Sequence, residues 1–270
     1  VTDYYHIKHV TTRLFREIRG TVKNLHIADL GIEKPEEGNG ALIGTNVGTI
    51  ENLTIEKAVL GSQITGDQIG NYALIGINSG TVNKLIVSDY HTDGHGIILN
   101  NCNRGFIPNV KDCILDNSEI KGCGFVSVSS SGTIQNCIIN NTNVGSHGFA
   151  GEALYVGTGI SGCSLVNCQI GGNGFAGKNS QATIQNCSIS NARIGSDGFA
   201  GEISNSDTIV EGCRLENCDI AGNGFAGSIT GGYQSAQVSN CCIVNARIQK
   251  SGFANKISNT KVENCHICSD

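Results

Sequence analysis

The chain contains no tryptophan and no methionine, and aromatic residues make up only 5% of it. A conventional globular centre is built around large rings, so their shortage points to a thin core. Proline occurs twice against 37 glycines, which excludes both collagen and a proline-rich linker. The formal net charge is −5 and no run of like charges appears. Phosphate binding needs a basic stripe, so nucleic acid is excluded as a partner. No segment approaches the roughly 18 consecutive apolar residues of a membrane-spanning helix, so no membrane span is expected. No secretory signal pattern is visible. A start at Val1 without any methionine is what a processed product or a piece of a larger protein would show.

What the chain does have is a repeat. Ten times a branched aliphatic residue is followed three residues later by Leu or Cys. The anchors are Leu25, Leu53, Leu85, Cys113, Cys137, Cys163, Cys187, Cys213, Cys241 and Cys265, spaced 24 to 32 residues apart. Self-similarity at such a period marks a stacked repeat architecture. The repeat crosses the midpoint without a break, so residues 1–270 read as one elongated domain.

Two residues after each Cys anchor sits another aliphatic residue, such as Leu115, Ile139 or Leu165. That alternation is the period of a strand with one buried face. Four residues after the anchor sit Asn117, Asn141, Asn167, Asn191, Asn217 and Asn245. A small residue, a further aliphatic residue and a polar turn follow. Then comes Gly-Phe, at Phe125, Phe149, Phe175, Phe199, Phe225 and Phe253. Asn and Gly tolerate the left-handed backbone of a sharp corner. The Asn column reads as an amide ladder that satisfies buried backbone groups, and the Phe column as the main core file. The pattern predicts an all-β fold: a single β-solenoid, read as a right-handed parallel β-helix of about ten coils with three short sides each. Coils stacked at the ~4.8 Å strand spacing make a rod on the order of 50 Å long.

The N-terminal coils differ. ALIGTNVGTIENLTI (41–55) and ALIGINSGTVNKLIV (73–87) are near copies, and LFREIRGTVKNLHI (14–27) is a third. Their pattern resembles the GLUG repeat of large bacterial exported proteins such as adhesins and the non-catalytic regions of immunoglobulin A peptidases. The resemblance is clear over 14–87 and looser over 110–268, where GFAG replaces the glycine core and Cys replaces Leu. Residues 1–109 thus read as GLUG-like coils with longer inserts, and 110–270 as GFAG/Cys coils. The resemblance implies a β-helical spacer or binding region on the cell surface or secreted, with catalysis elsewhere in the parent protein.

The remaining motifs are weighed against structural roles. Thirteen cysteines suggest a disulfide framework by count. Stacked columns hold Cβ atoms about 4.8 Å apart, however, whereas disulfides prefer nearer 3.8 Å. Free buried thiols are therefore expected, with Cys163–Cys168 and Cys213–Cys218 as the pairs to check. Free thiols suit a reducing compartment, such as a host-cell cytoplasm, which pulls against an exported protein. Charged columns (Arg193, Asp219, Arg247 and Glu152, Lys178, Glu202) read as cross-coil ion pairs. Glu152 and Glu202 would lie about 9.6 Å apart, the reach of an inverting glycosidase, but Lys178 falls between them. Three G-x-G-x-x-G matches are set aside because no helix follows. His91, Asp93 and His95 cluster in YHTDGHG, which departs from the repeat, and are weak candidates for metal binding or acid–base work. Cys242, His266 and Cys268 are a second weak metal candidate.

No catalytic set and no cofactor site is assigned. The favoured function is a non-enzymatic scaffold, interaction or spacer module of a bacterial exported or virulence-associated protein. It would bind a protein or glycan surface through its flank and insert loops, at 31–40, 61–72, 90–95, 100–109, 153–159 and 231–236. The rivals are a carbohydrate-active β-helix enzyme, disfavoured by few exposed aromatics beyond Tyr155 and Tyr233, and a filament built by end-to-end self-association.

Overall fold

A computed structural model describes residues 4–61, 69–103, 107–232 and 235–269. Tyr233 and parts of three insert loops lie outside the described residues. Among the described residues every regular element is a β-strand, and every strand pairing is parallel. Neighbouring strands in space come from successive coils. The second sheet holds ten strands, from Phe15–Ile18 to Ala254–Ser258, so the chain makes about nine full turns between its first and last rungs. The expected β-solenoid is the observed one.

A late coil shows how sequence becomes rung. Thr183–Gln185, Ser188–Ser190 and Arg193–Ile194 run in the larger sheet, and Ala200–Ser204 in the second. That is four strand segments where three sides were expected. Two left-handed corners break up the long side. One falls just before the anchor, at Asn136, Gly162, Asn186 and Gly212, with φ from +53° to +63°. The other falls four after it, at Asn141, Asn167, Asn191 and Asn217, with φ from +49° to +55°. Asn occupies this region more readily than most side chains because its short amide bonds locally. Only the second corner was legible in the sequence.

At each corner the carbonyl before the turn accepts the N–H of the corner residue one coil earlier, as Gln185 does from Gly162 and Val166 from Asn141 at 3.0 Å, and the side chain after the corner adds a second donor. Cys187 Sγ reaches the Gln185 carbonyl at 3.3 Å, and Cys213 Sγ the Glu211 carbonyl at 3.5 Å. At the second corner Ser118, Thr142, Cys168 and Cys218 bond the carbonyl two residues back at 2.7 to 3.3 Å. Cysteine therefore serves as both small hydrophobe and hydrogen-bond donor. All thirteen cysteines are free, including Cys163, Cys168, Cys213 and Cys218.

The core is a set of files. Rings from Phe125 to Phe253 stack with centroids 4.8 to 4.9 Å apart and planes within 6°. Aromatic pairs left to themselves prefer an offset or edge-on arrangement, so the ladder spacing imposes this one. The preceding glycine is required by contact. A Cβ on Gly174 would lie 1.8 Å from the Gly198 carbonyl oxygen, and the same clash recurs at Gly148 and Gly198.

The Asn column forms a ladder, but not the buried one expected. It is exposed, and from Asn167 to Asn217 each amide bonds the one a coil earlier, as Asn167 Nδ2 to Asn141 Oδ1 at 3.2 Å, while Asn141 itself donates to Asp116 and Asn117 to Asp89. The corner geometry throws these side chains outward. The buried amide ladder lies elsewhere, where Asn46 donates to Asn78 at 2.8 Å and Asn78 to Asn101 at 2.9 Å. The expected charge pairing is also partial. Lys178 meets Glu202 at 3.8 Å, while among the described residues neither Glu152 nor the in-register Arg193, Asp219 and Arg247 form an ion pair.

Candidate functional site

The two-residue strands after the second corner build one flank of the rod. Their inward residues, Ile120, Val144, Ile170, Ile194 and Ile220, are buried and fix the strand against the core. Their outward residues form a file, Glu119, Asn143, Gln169, Arg193 and Asp219, in register across successive coils. Two residues further on, Gly145, Gly171 and Gly195 form a floor. A Cβ on Gly171 would lie 2.2 Å from the Gly145 carbonyl oxygen, and one on Gly195 2.3 Å from that of Gly171. Packing of the coils thus keeps side chains off the floor, and an open trough of about 490 Å³ runs along the axis beside the polar file. From Glu119 to Gln249 it crosses six rungs, on the order of 24 Å.

The trough has uncommitted polar capacity. Arg193 projects into solvent without an ion pair among the described residues, and Oδ1 of Asp219 is shielded from water with no hydrogen-bond partner. A shielded acceptor without a partner is costly, which marks Asp219 as ready to accept from a ligand.

At its N-terminal end the trough adjoins a second cleft of about 360 Å³, which shares Glu119 and Lys121 with it. Here the structure places two of the three residues singled out in YHTDGHG. His91 Nδ1 lies 3.3 Å from Glu119, and Lys121 Nζ lies 2.6 Å from Asp93. Beneath Gly61, the Tyr72 hydroxyl is buried without a hydrogen-bond partner among the described residues. Burial first, then Asp93 and Glu37, push its pKa up to about 12, so it stays a donor. His95 stands outside this cleft. Its Nδ1 accepts the Cys123 backbone N–H at 3.1 Å, and burial lowers its pKa. His147 has the same role two coils on, accepting from the Asn173 backbone N–H at 3.3 Å, and burial lowers its pKa.

The C-terminal candidates take separate roles. Cys242 stands in register with His266, and its sulfur lies 3.5 Å from Arg214 Nη1. The Cys268 thiol instead points to the Ile243 carbonyl at 3.9 Å. Among the described residues no group of three or more His, Cys, Asp or Glu side chains is placed to hold a metal ion. Among the described residues no helix is long and apolar enough to cross a membrane.

Residues 95–267, nearly two thirds of the chain, match the family described as the right-handed β-helix region. The chain belongs to this family. The handedness expected from the sequence agrees with that description. No curated protein matches the chain. The match begins after residues 14–87, the coils that carry the GLUG resemblance. In this right-handed β-helix the trough is the feature that sequence reasoning missed. Its signal was a small residue eight positions after the anchor, at Gly145, Gly171, Gly195 and Ala221.

Proposed function

We propose that this β-helix is a non-enzymatic binding and spacer module of a bacterial exported protein, and that its trough holds a glycan chain. The observation that carries the reading is the trough itself: a side-chain-free floor beside one polar group per rung. The rungs repeat every ~4.8 Å, whereas an extended peptide presents same-side residues every two positions, about 6.7 Å. A peptide therefore falls out of step within a few rungs. A pyranose chain advances by a length close to one rung per sugar and keeps its hydroxyls opposite successive Asn143, Gln169, Arg193 and Asp219. Amide, guanidinium and carboxylate groups suit hydroxyl ligands, which both donate and accept.

Purified chain titrated against a panel of soluble polysaccharides tests this. Gln169→Ala and Arg193→Ala are expected to weaken capture at least tenfold. Lys178→Ala, on the other sheet, is expected to leave it unchanged. Equal effects from both faces would refute the trough as the binding surface.

The adjoining cleft, with His91, Asp93, Glu119 and Lys121, supports a second reading as a carbohydrate-active enzyme. Release of new reducing ends, lost in Asp93→Asn and Glu119→Gln, would favour that reading.

A further inference from the structure

At the N-terminal end of the rod, far along the axis from the trough, His6 and His26 stand in register on adjacent strands. Their Nδ1 atoms are 2.8 Å apart, with ring centroids at 5.0 Å and planes crossing at 80°. Both nitrogens cannot carry hydrogen at that distance. Either the rings share one proton or both lone pairs serve a third atom. Behind His26, Nε2 lies 3.3 Å from Glu56 Oε2, short of hydrogen-bond alignment. That carboxylate favours the proton on Nε2 and leaves Nδ1 as the lone-pair nitrogen. A carboxylate behind an imidazole is the usual support of a metal-ligating histidine. A cavity of about 240 Å³, lined by Tyr4, Thr54 and Glu56 as well as both histidines, opens beside the pair.

We propose that His6 Nδ1 and His26 Nδ1 form a two-nitrogen site for a tetragonal divalent ion, Cu2+ in particular. With metal–nitrogen bonds of about 2.0 Å, two neighbouring ligands of a square plane lie about 2.8 Å apart, whereas tetrahedral zinc separates them by about 3.3 Å. The observed 2.8 Å is the square-planar value. Water in the cavity completes the coordination. Entry of the ion displaces the hydrogen from between the rings: His6 carries it on Nε2 instead of Nδ1, so both Nδ1 lone pairs face the ion and no net proton leaves the pair.

The test uses the full chain, with its exposed thiols blocked, titrated with Cu2+ alone. The expected result is one tightly bound ion per chain and an electron paramagnetic resonance spectrum showing two equivalent nitrogens in a tetragonal field. His6→Ala and His26→Ala each should weaken binding at least tenfold and reduce the nitrogen count. Glu56→Gln, which leaves both ligands in place, should weaken it about tenfold. His266→Ala should change nothing. Unchanged affinity and spectrum in the His6→Ala/His26→Ala double variant, with the melting temperature retained, would overturn the site. So would a wild-type spectrum without two nitrogens.

Discussion

Phe149 and Phe175 lie face to face, with ring centroids 4.8 Å apart and planes 6° from parallel. The separation is the rung spacing of the sheets on either side. The interior of the rod is thus a copy of its own backbone ladder, and each coil's side chains are packed by the coils before and after it.

Replacing one ring therefore removes two stacking contacts and leaves a cavity that the ladder cannot close. Phe175→Ala is expected to cost about 3–5 kcal/mol, and Phe175→Leu distinctly less. Chemical denaturation of both variants measures it. A loss below about 1 kcal/mol for the alanine variant would mean that the Phe file is not the core.

The glycine before each Phe is set by close approach of the next coil. Gly174→Ala would drive a methyl group into the Gly198 carbonyl oxygen at 1.8 Å, so the two coils must separate. Severe destabilisation or failure to fold is expected. Gly159→Ala meets only the Thr133 methyl at 3.9 Å and should stay within about 0.5 kcal/mol of the parent. Similar melting temperatures for the two variants would contradict the packing described.

Thiols at the corners are second donors to carbonyls that already accept a ladder N–H, as Val166 accepts from both Asn141 and Cys168. Cys168→Thr preserves that bond, since Thr142 makes it one coil earlier at 2.7 Å. Cys168→Val keeps the volume and removes the second donor, at an expected cost of about 0.5–1.5 kcal/mol. If valine were tolerated as well as threonine, the capping role would be wrong.

Much of this was legible in the sequence, because a solenoid writes its contacts as a period. Anchors such as Cys137 and Cys163, the Phe file and the absence of disulfides all followed from stacking alone. The corner before the anchor was not legible, because its left-handed position is filled by Asn136 in one coil and Gly162 in the next, and even by Lys84. Nor was the trough. An outward glycine such as Gly171 reads as a turn residue, and only the approach of the neighbouring carbonyl shows that it clears a floor. The ion pairs expected between Arg193, Asp219 and Arg247 failed for a related reason. Register fixes where side chains start, not where their charged ends go.

His95 and His147 tie stability to pH. Each holds its lone pair on a backbone N–H of the next coil, and burial lowers each pKa below the usual 6.5. The unfolded chain therefore takes up protons before the folded one does. Stability is full above about pH 6.5 and is lost as the pH falls from there through the lowered folded values. His147→Asn places an amide where Asn173 and Asn223 already serve, and should flatten the dependence of melting temperature between pH 7 and pH 5. An unchanged slope would remove His147 from that account.

The central claim is that the flank from Glu119 to Gln249 is the binding face. Hydrogen–deuterium exchange with and without a polysaccharide captured by the chain reads this directly. Protection should rise at 119–121, 143–145, 169–171, 193–195 and 219–221, and stay level at 150–154, 176–180 and 200–204. Protection confined to the second sheet, or spread evenly over both, would contradict it.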